Sequence, residues 1–191
     1  QLEKFMASAG TKKEDMQKAF EAAKQKGEEL TLIRKKCALK IEKELERCME
    51  DLLLKATFKI EFLENPAKDD SILKEDGLDT IDFLIETNVG EGLKSLGKII
   101  SGGEASRIML AFKTILIKAN KTPTVIFDEI DTGISGESAQ AVAKKIHEIS
   151  LSTQVVSITH MPQVASLSNH HILITKEVKD NRTFAHMKEL S

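Results

Sequence analysis

Val125-Ile126-Phe127-Asp128-Glu129 is the stretch of sequence that decides the fold. Three apolar residues form a short strand, and two acids follow at its carboxyl end. Ligands of open α/β sheets bind outside the carboxyl ends of the strands. In a nucleotide hydrolase, the first acid of such a pair holds Mg²⁺ and the second polarises the attacking water. Many strands end in an acidic turn, so the pair alone is weak evidence for a nucleotide site. The segments around it have to support that interpretation.

Ser101-Gly102-Gly103-Glu104 lies upstream and leads into a helical run that starts at Ala105. Ser101 and Glu104 match the S-x-x-E capping box, so a plain helix cap is one interpretation. Two consecutive glycines exceed what a cap requires. They allow backbone N–H groups to approach a ligand closely, and a helix N-terminus favours an anion. Ser101, Gly102 and Gly103 therefore suit a bound phosphate.

Ser157-Ile158-Thr159-His160 ends the next predicted strand along the chain. The carboxyl ends of neighbouring parallel strands meet at one edge, so we expect His160 and Glu129 to face the same site. A lone histidine in this position is otherwise more often structural. Asp131 begins the segment Asp131–Gly136, which is either an ordinary turn before a helix or a loop whose acid reaches across a subunit interface.

The second half of the chain alternates strands and helices, which predicts an α/β fold with a layer of parallel strands. The expected strands are Thr57–Leu63, Thr80–Glu86, Thr124–Phe127, Gln154–Thr159, His171–Lys176 and Arg182–Lys188, the last two joined by a turn at Asp180-Asn181. The expected helices are Ile108–Ala119, Glu137–Ser150 and a short one at Val164–Leu167. Polar or glycine-rich loops are expected at 65–77 and 90–97.

Residues 12–54 predict one long helix, since they contain no proline and only one glycine. Apolar residues recur in steps of three and four, which forms a seam for a partner helix. A coiled-coil arm is favoured, and an ordinary bundle helix is the alternative. Gly27 interrupts the seam and is a candidate kink. Cys37 and Cys48 share nearly one face and are expected to be small buried residues in a reducing compartment.

Composition excludes several classes of protein. The chain has 28 basic and 30 acidic residues and a net charge of -2, which argues against a strongly basic nucleic-acid surface. It contains no apolar run long enough to span a membrane and no signal-peptide pattern. It begins with Gln1 rather than Met, which suggests a piece of a longer protein.

The motifs together are more specific than any one of them. SGGE, VIFDEID and SITH, in that order, resemble the signature motif, the Walker B motif with its D-loop, and the switch histidine of ABC ATPases. SGGEASRIMLAFKTIL, FDEIDTGISG and ITHMPQVA are similar to an SMC-like family of bacterial DNA-repair ATPases. The resemblance implies the C-terminal lobe of an ABC/SMC-type P-loop ATPase head at residues 56–191. Residues 1–55 would be the base of its coiled-coil arm.

The resemblance also implies roles for individual residues. Asp128 would hold Mg²⁺, Glu129 would act as the base, and His160 would contact the γ-phosphate. The residues expected to contact ATP, in part ATP held by the opposite subunit, are Ser101, Gly102, Gly103, Glu104 and Asp131. Lys98 and Arg107 are either phosphate or DNA contacts or solvated residues at a helix edge.

Partners follow from the same resemblance. It implies a homodimer with two ATP molecules between its heads, binding to DNA ends, and a role in double-strand-break repair and recombination in the bacterial cytoplasm, associated with the nucleoid. No membrane partner is expected. A nucleotide-binding subunit of an ABC transporter and a non-catalytic coiled-coil dimerisation scaffold are the alternatives.

One segment imitates a phosphate loop. Gly92–Ile99 nearly spells G-x-x-x-x-G-K-[ST], but Ile99 stands where a hydroxyl should bind Mg²⁺, so we reject it as a nucleotide site. Members of the family carry the phosphate loop in an N-terminal lobe, which both ATP and Mg²⁺ need for full binding. We therefore expect ATPase activity from the full-length protein and negligible hydrolysis by this chain alone.

Overall fold

A computed structural model describes the backbone of residues 2–63, 73–88, 90–98 and 102–190, with side chains from Lys12 onward. The helices are α1 (Leu2–Asp51), α2 (Gly102–Asn120), α3 (Gly136–Ser150) and α4 (Pro162–Ala165). The strands are β1 (Thr57–Phe62), β2 (Ile81–Glu86), β3 (Lys94–Ser95), β4 (Thr124–Asp128), β5 (Gln154–Ile158), β6 (His171–Lys179) and β7 (Arg182–Leu190). A 3₁₀ turn covers Leu96–Lys98.

The chain forms two compact units that share α1. The first contains Gln1–Glu44 and Thr57–Lys98, and the second contains Leu45–Ala56 and Ile99–Ser191. The long helix predicted for residues 12–54 is confirmed, because α1 runs without interruption to Asp51. Since both units take part of α1, the expected boundary between an arm at 1–55 and a lobe at 56–191 stays a prediction.

An antiparallel sheet in the order β1-β2-β3 forms the first unit together with α1. Phe58 on β1 is fully buried and stacks on Phe83 of β2, with 5.9 Å between the ring centroids. Glu42 of α1 is also buried, and its carboxylate accepts the backbone N–H of Ile60 at 2.8 Å. Because a buried carboxylate needs a partner, this bond fixes the helix against the first strand.

Gly27 does not kink α1, as the interrupted seam had suggested, but makes room for a neighbour. A Cβ at this position would stand 2.7 Å from Cγ of Leu78, so only glycine lets that side chain approach the helix. One turn further, Thr31 and Arg34 bind the carboxylate of Asp79 at 2.7 and 2.9 Å. The segment that precedes β2 is thereby attached to the helix.

The second unit contains a parallel pair, β4 and β5, as the alternation of strands and helices predicted. α3 packs on the unit through one apolar face, consisting of Ala139, Val142, Ala143, Ile146 and Ile149. β6 and β7 form an antiparallel hairpin. Its turn residues Asp180 and Asn181 have φ of 51° and 62°, the left-handed conformation that two-residue hairpin turns require. Strand ends differ from the prediction by a few residues, and α2 begins at Gly102.

The apolar seam of α1 is covered only near its end. Leu45, Cys48 and Leu52 are buried, whereas Ile33 is 59% exposed. Cys37 is exposed too, so the expectation that both cysteines are buried was wrong for this one. The reason is that the described part of the chain provides no helix to cover that stretch of the seam. None of its helices is long and apolar enough to cross a membrane.

Lys145 is the buried cation of the second unit. Its ammonium lies 2.8 Å from Asp51 at the end of α1 and 2.8 Å from Glu148 of α3, and its side chain is only 7% exposed. Burial lowers the pKa of Lys145, but the hydrogen bonds to the two carboxylates outweigh it, so the pKa lies above its usual value of 10.5. This ion pair holds the end of α1 against α3.

Replacing Lys145 by Met should lower the free energy of unfolding by about 1–2 kcal/mol at pH 7, since it removes two charge-assisted hydrogen bonds. Urea titration measures the change, and the exposed neighbour Lys144→Met is the matched control. Because the folded-state pKa is raised, the bonds stabilise fully below pH 10.5, and their contribution falls as pH rises through the folded pKa. A Lys145→Met protein as stable as Lys144→Met would contradict the prediction.

Candidate nucleotide site

Pairing of β4 with β5 brings the predicted catalytic residues to one edge of the sheet. Asp128 lies opposite Ile158, and the N–H of Glu129 donates to the carbonyl of Ile158 at 3.1 Å. His160 follows two residues later. Asp128, Glu129 and His160 are all exposed, so this edge presents two carboxylates and an imidazole to solvent. The expected meeting of strand ends is therefore present.

Glu129 is held in an unusual backbone conformation. Its φ is 48°, the left-handed region, which costs a non-glycine residue about 1–2 kcal/mol. Two hydrogen bonds maintain it: its N–H binds Ile158, and its carbonyl accepts the N–H of Thr132 at 3.0 Å. Backbone strain of this kind is concentrated at functional sites, because the surrounding structure must over-determine it. The chain turns sharply here and leaves the Glu129 side chain exposed.

Asp131 is turned inward. It is fully buried, and its Oδ2 accepts a hydrogen bond from the hydroxyl of Thr159. Thr159 in turn accepts the N–H of Met161 at 2.9 Å. The other carboxylate oxygen, Oδ1, lies 3.9 Å from Nδ1 of His160. The loop after the two acids is thus connected to the end of β5, and the sequence had not singled out Thr159 for this contact.

The glycine-rich signature segment packs on the same loop. Ser101, with Ile99 and Ile100, lies outside the described residues, so its capping and phosphate roles stay predictions. α2 begins at Gly102, and Glu104 lies half-buried in its first turn. A Cβ on Gly103 would overlap the carbonyl oxygen of Gly133 and stand 3.0 Å from its carbonyl carbon. The second glycine is therefore needed for a close backbone approach.

Arg107 is half-buried and bonds to the backbone, so its predicted contact with phosphate or DNA stays a prediction. Its Nη1 donates to the carbonyls of Leu53 and Leu52 at 3.0 and 3.3 Å, where α1 has just ended. Its Nε donates to the carbonyl of Gly103 at 3.3 Å. One guanidinium thus satisfies carbonyls that a helix end leaves without partners. Lys98 is exposed.

The segment that imitates a phosphate loop has a different structure. Lys94 and Ser95 form the edge strand β3, which pairs with β2, and Leu96–Lys98 is a single 3₁₀ turn. A phosphate loop joins a strand to the helix whose N-terminus binds the anion. The described part of this segment does not form that arrangement, which agrees with its rejection from sequence.

Of the two exposed carboxylates at the end of β4, that of Asp128 is the predicted ligand of Mg²⁺. This ion keeps several waters and binds through one or two carboxylates together with substrate phosphates. Among the residues described, no group of three or more His, Cys, Asp or Glu side chains is placed to hold a metal ion by itself. The residues present therefore fit a Mg²⁺ that arrives with a nucleotide.

Gly103→Ala should destabilise the chain by about 1–3 kcal/mol, because its methyl group overpacks against Gly133. A loss of stability would distinguish this site from an ordinary helix position, because alanine within a helix normally stabilises relative to glycine by up to about 1 kcal/mol. Gly97→Ala is the control, because a Cβ there meets nothing within 4 Å. Chemical unfolding monitors both variants. A Gly103→Ala chain at least as stable as the unsubstituted one would show that the approach is not close.

Several curated proteins are similar to this chain over most of its length. The DNA repair protein RecN of Bacillus subtilis is 46% identical in an alignment of 170 positions that covers 83% of this chain and 30% of that protein. RecN of Halalkalibacterium halodurans is 41% identical over 84% of this chain, and RecN of Vibrio cholerae is 38% identical over 80%. The chain spans less than a third of the length of these relatives. No family model matches it.

Solved structures show the fold. The Smc head domain with a coiled coil and joint from Pyrococcus yayanosii superposes with a TM-score of 0.63 at 23% identity, over 87% of this chain and 29% of that one. A structure from work on the ATP-driven dimerisation and DNA-stimulated activation of SMC ATPases gives 0.56 at 22% identity, over 84% and 88%. The fold is that of an ABC/SMC-type ATPase head with a long N-terminal helix, and the chain belongs to the RecN family of SMC-like DNA repair proteins.

Proposed function

We propose that this chain carries the hydrolysis and trans-sensing half of an SMC-like ATPase that acts in DNA double-strand-break repair. The single observation that carries the proposal is the edge where Asp128, Glu129 and His160 emerge together from β4 and β5. A carboxylate pair next to an imidazole suits a metal-bound phosphate and an attacking water. The RecN relatives support the repair role.

Each residue at this edge has a separate task. Asp128 would hold Mg²⁺, which would supply charge neutralisation for the phosphates. Glu129 orients a water and accepts its proton, and His160 contacts the γ-phosphate. Gly102 and Gly103 lie at the start of α2, whose N-terminus favours an anion. Together with Ser101, which lies outside the described residues, they would contact the γ-phosphate of ATP held by a second subunit. Glu104 belongs to the same signature.

Asp131, which was also predicted to contact ATP, points into the interior of the unit. Its side chain is fully buried within this unit. A reach across a subunit interface, expected from its place after the acids, stays a prediction. The inward contacts favour a supporting role inside the chain.

Exposed apolar surface supports the need for an additional lobe. One face of the β4–β5 pair leaves Ile126, Val156 and Ile158 exposed to 66%, 46% and 49%. The hairpin β6–β7 is exposed along almost its whole length, including Ile174 and Met187. Exposed apolar side chains on neighbouring strands of this kind mark an interface. We assign it to the lobe that carries the phosphate loop, without which ATP and Mg²⁺ bind incompletely.

DNA and a second head complete the proposal. One of the superposed SMC structures comes from work on ATP-driven dimerisation and DNA-stimulated activation, which supports a homodimer with ATP between its heads. A net charge of -2 argues against a strongly basic surface on this chain, so we expect contact with DNA ends to be local or made elsewhere in the protein. DNA is the substrate, so we place the protein in the bacterial cytoplasm with the nucleoid.

Glu129→Gln in the full-length protein should lower the turnover number for ATP by at least about 100-fold, the usual contribution of a general base, while ATP binding persists. Release of inorganic phosphate measures turnover, and a labelled nucleotide measures binding. The control is Glu137→Gln, an exposed acid in the first turn of α3. Equal turnover in the two variants would remove Glu129 from the reaction.

The present chain, assayed alone, should hydrolyse ATP negligibly, because the phosphate-loop lysine and its backbone cradle provide most of the binding to a triphosphate. Adding the separately produced N-terminal lobe should restore hydrolysis, and DNA should increase it. Robust turnover by the chain alone, abolished by Glu129→Gln, would contradict this. Activity without DNA stimulation would favour a transporter subunit, and no activity in the mixture would favour a scaffold.

A further inference from the structure

Asp131 has a carboxylate oxygen with no hydrogen-bond partner. The residue is fully buried, and only its Oδ2 is occupied, by the Thr159 hydroxyl. Across the described part of the chain, four buried side-chain atoms lack a partner, and Asp131 Oδ1 is the only carboxylate oxygen among them. A buried charge without a compensating bond is costly, so an acceptor in this state needs a donor within reach.

His160 is the donor in reach. Its Nδ1 lies 3.9 Å from Asp131 Oδ1, slightly beyond hydrogen-bond distance, and its side chain is 69% exposed. An unprotonated Nδ1 would turn its lone pair toward a carboxylate oxygen, which is repulsive. A proton on Nδ1 turns the same contact into an attraction, because a carboxylate is a strong acceptor.

Thr159 fixes the direction of the carboxylate. Its hydroxyl donates to Asp131 Oδ2 and accepts the N–H of Met161. The second bond holds the hydroxyl in place, so its proton points toward Oδ2. With Oδ2 occupied, Oδ1 is the oxygen left for the imidazole. The hydroxyl therefore acts on His160 through Asp131, over a path that stays inside the second unit.

We propose that Thr159 and Asp131 are positioning residues for His160: Thr159 orients the Asp131 carboxylate, and Asp131 keeps the ring proton of His160 on Nδ1. The Nε2 edge of the ring then faces outward. It is the edge left for the contact with the γ-phosphate. This deepens the proposed function and rests on it for the phosphate contact, but the placement of the ring proton does not depend on ATP.

The first test reads the ring proton directly. In the 191-residue chain labelled with [¹⁵N]histidine, nitrogen shifts report the tautomer of each of the five histidines, and His160→Gln assigns the signal. We expect a proton on Nδ1 of His160 in the unsubstituted chain. Thr159→Val should move the population toward Nε2, whereas Thr159→Ser, which retains the hydroxyl, should not.

A matched variant separates this effect from lost stability. Thr114→Val also removes a buried hydroxyl that makes a hydrogen bond, to the carbonyl of Leu110 at 2.8 Å within α2. It should leave the His160 signal unchanged. The proton on Nε2 in the unsubstituted chain, or a Thr159→Val signal identical to it, overturns the proposal. The first of these outcomes needs no Thr159 variant and so does not depend on whether Thr159→Val folds.

Turnover by the full-length protein supplies the second test. Thr159→Val should lower the turnover number roughly 10- to 100-fold, the loss expected when a reacting group is misplaced, with little change in KM for ATP. In a Thr159→Val background, His160→Gln should cost little more, because residues that act as one unit are not additive. Independent, additive losses would overturn the proposal. No ATP turnover by the full-length protein, with a tautomer that still responds to Thr159, would instead refute the proposed function.

Discussion

The parallel pairing of β4 with β5 is the constraint on which the site depends. Val125 and Phe127 are paired with Val155 and Ser157, and the register continues until Asp128 meets Ile158. At that point the chain of β4 turns through the left-handed Glu129, whose N–H still binds β5. Because backbone hydrogen bonds set this register, a slip of one residue would turn every side chain to the opposite face and separate the acids from the histidine.

A second layer of contacts holds the loop after the acids. Asp131 is buried against Thr159, and Gly133 lies against the backbone of Gly103 at the start of α2. The loop therefore contacts both the end of β5 and the start of α2. Because close-packed groups cannot be compressed, a small displacement of the loop would be passed on to the residues that it contacts. Motif residues that are distant in sequence are therefore in direct contact in the structure.

Two cations secure the end of α1 within the second unit. Arg107 binds the carbonyls of Leu52 and Leu53, and Lys145 binds Asp51. A helix end leaves carbonyl groups without partners, so cations there satisfy both the hydrogen bonds and the helix dipole. The same helix buries Leu45 and Met49 completely. The base of the long helix is thus part of the core of this unit rather than an appendage to it.

Sequence by itself determined the long helix, the parallel strand pair and the residues at its edge. These depend on local signals: helix-forming composition, short apolar runs and acids at a strand end, all of which act over a few residues. It also identified the family, because four motifs in a fixed order are specific. Strand ends and the start of α2 were less exact, since tertiary contacts decide where hydrogen bonding stops.

Only the tertiary structure decided which side chains share a partner. The role of Gly27 depends on Leu78, 51 residues away, and the burial of Asp131 depends on Thr159, 28 residues away. The sequence left Arg107 open between a phosphate or DNA contact and a solvated helix edge, and only the structure showed its bonds to the carbonyls at the end of α1. Cys37 was expected to be buried, and the structure showed that its face of the helix is uncovered. Periodicity shows which face of an element is apolar, but what covers that face depends on how distant segments pack.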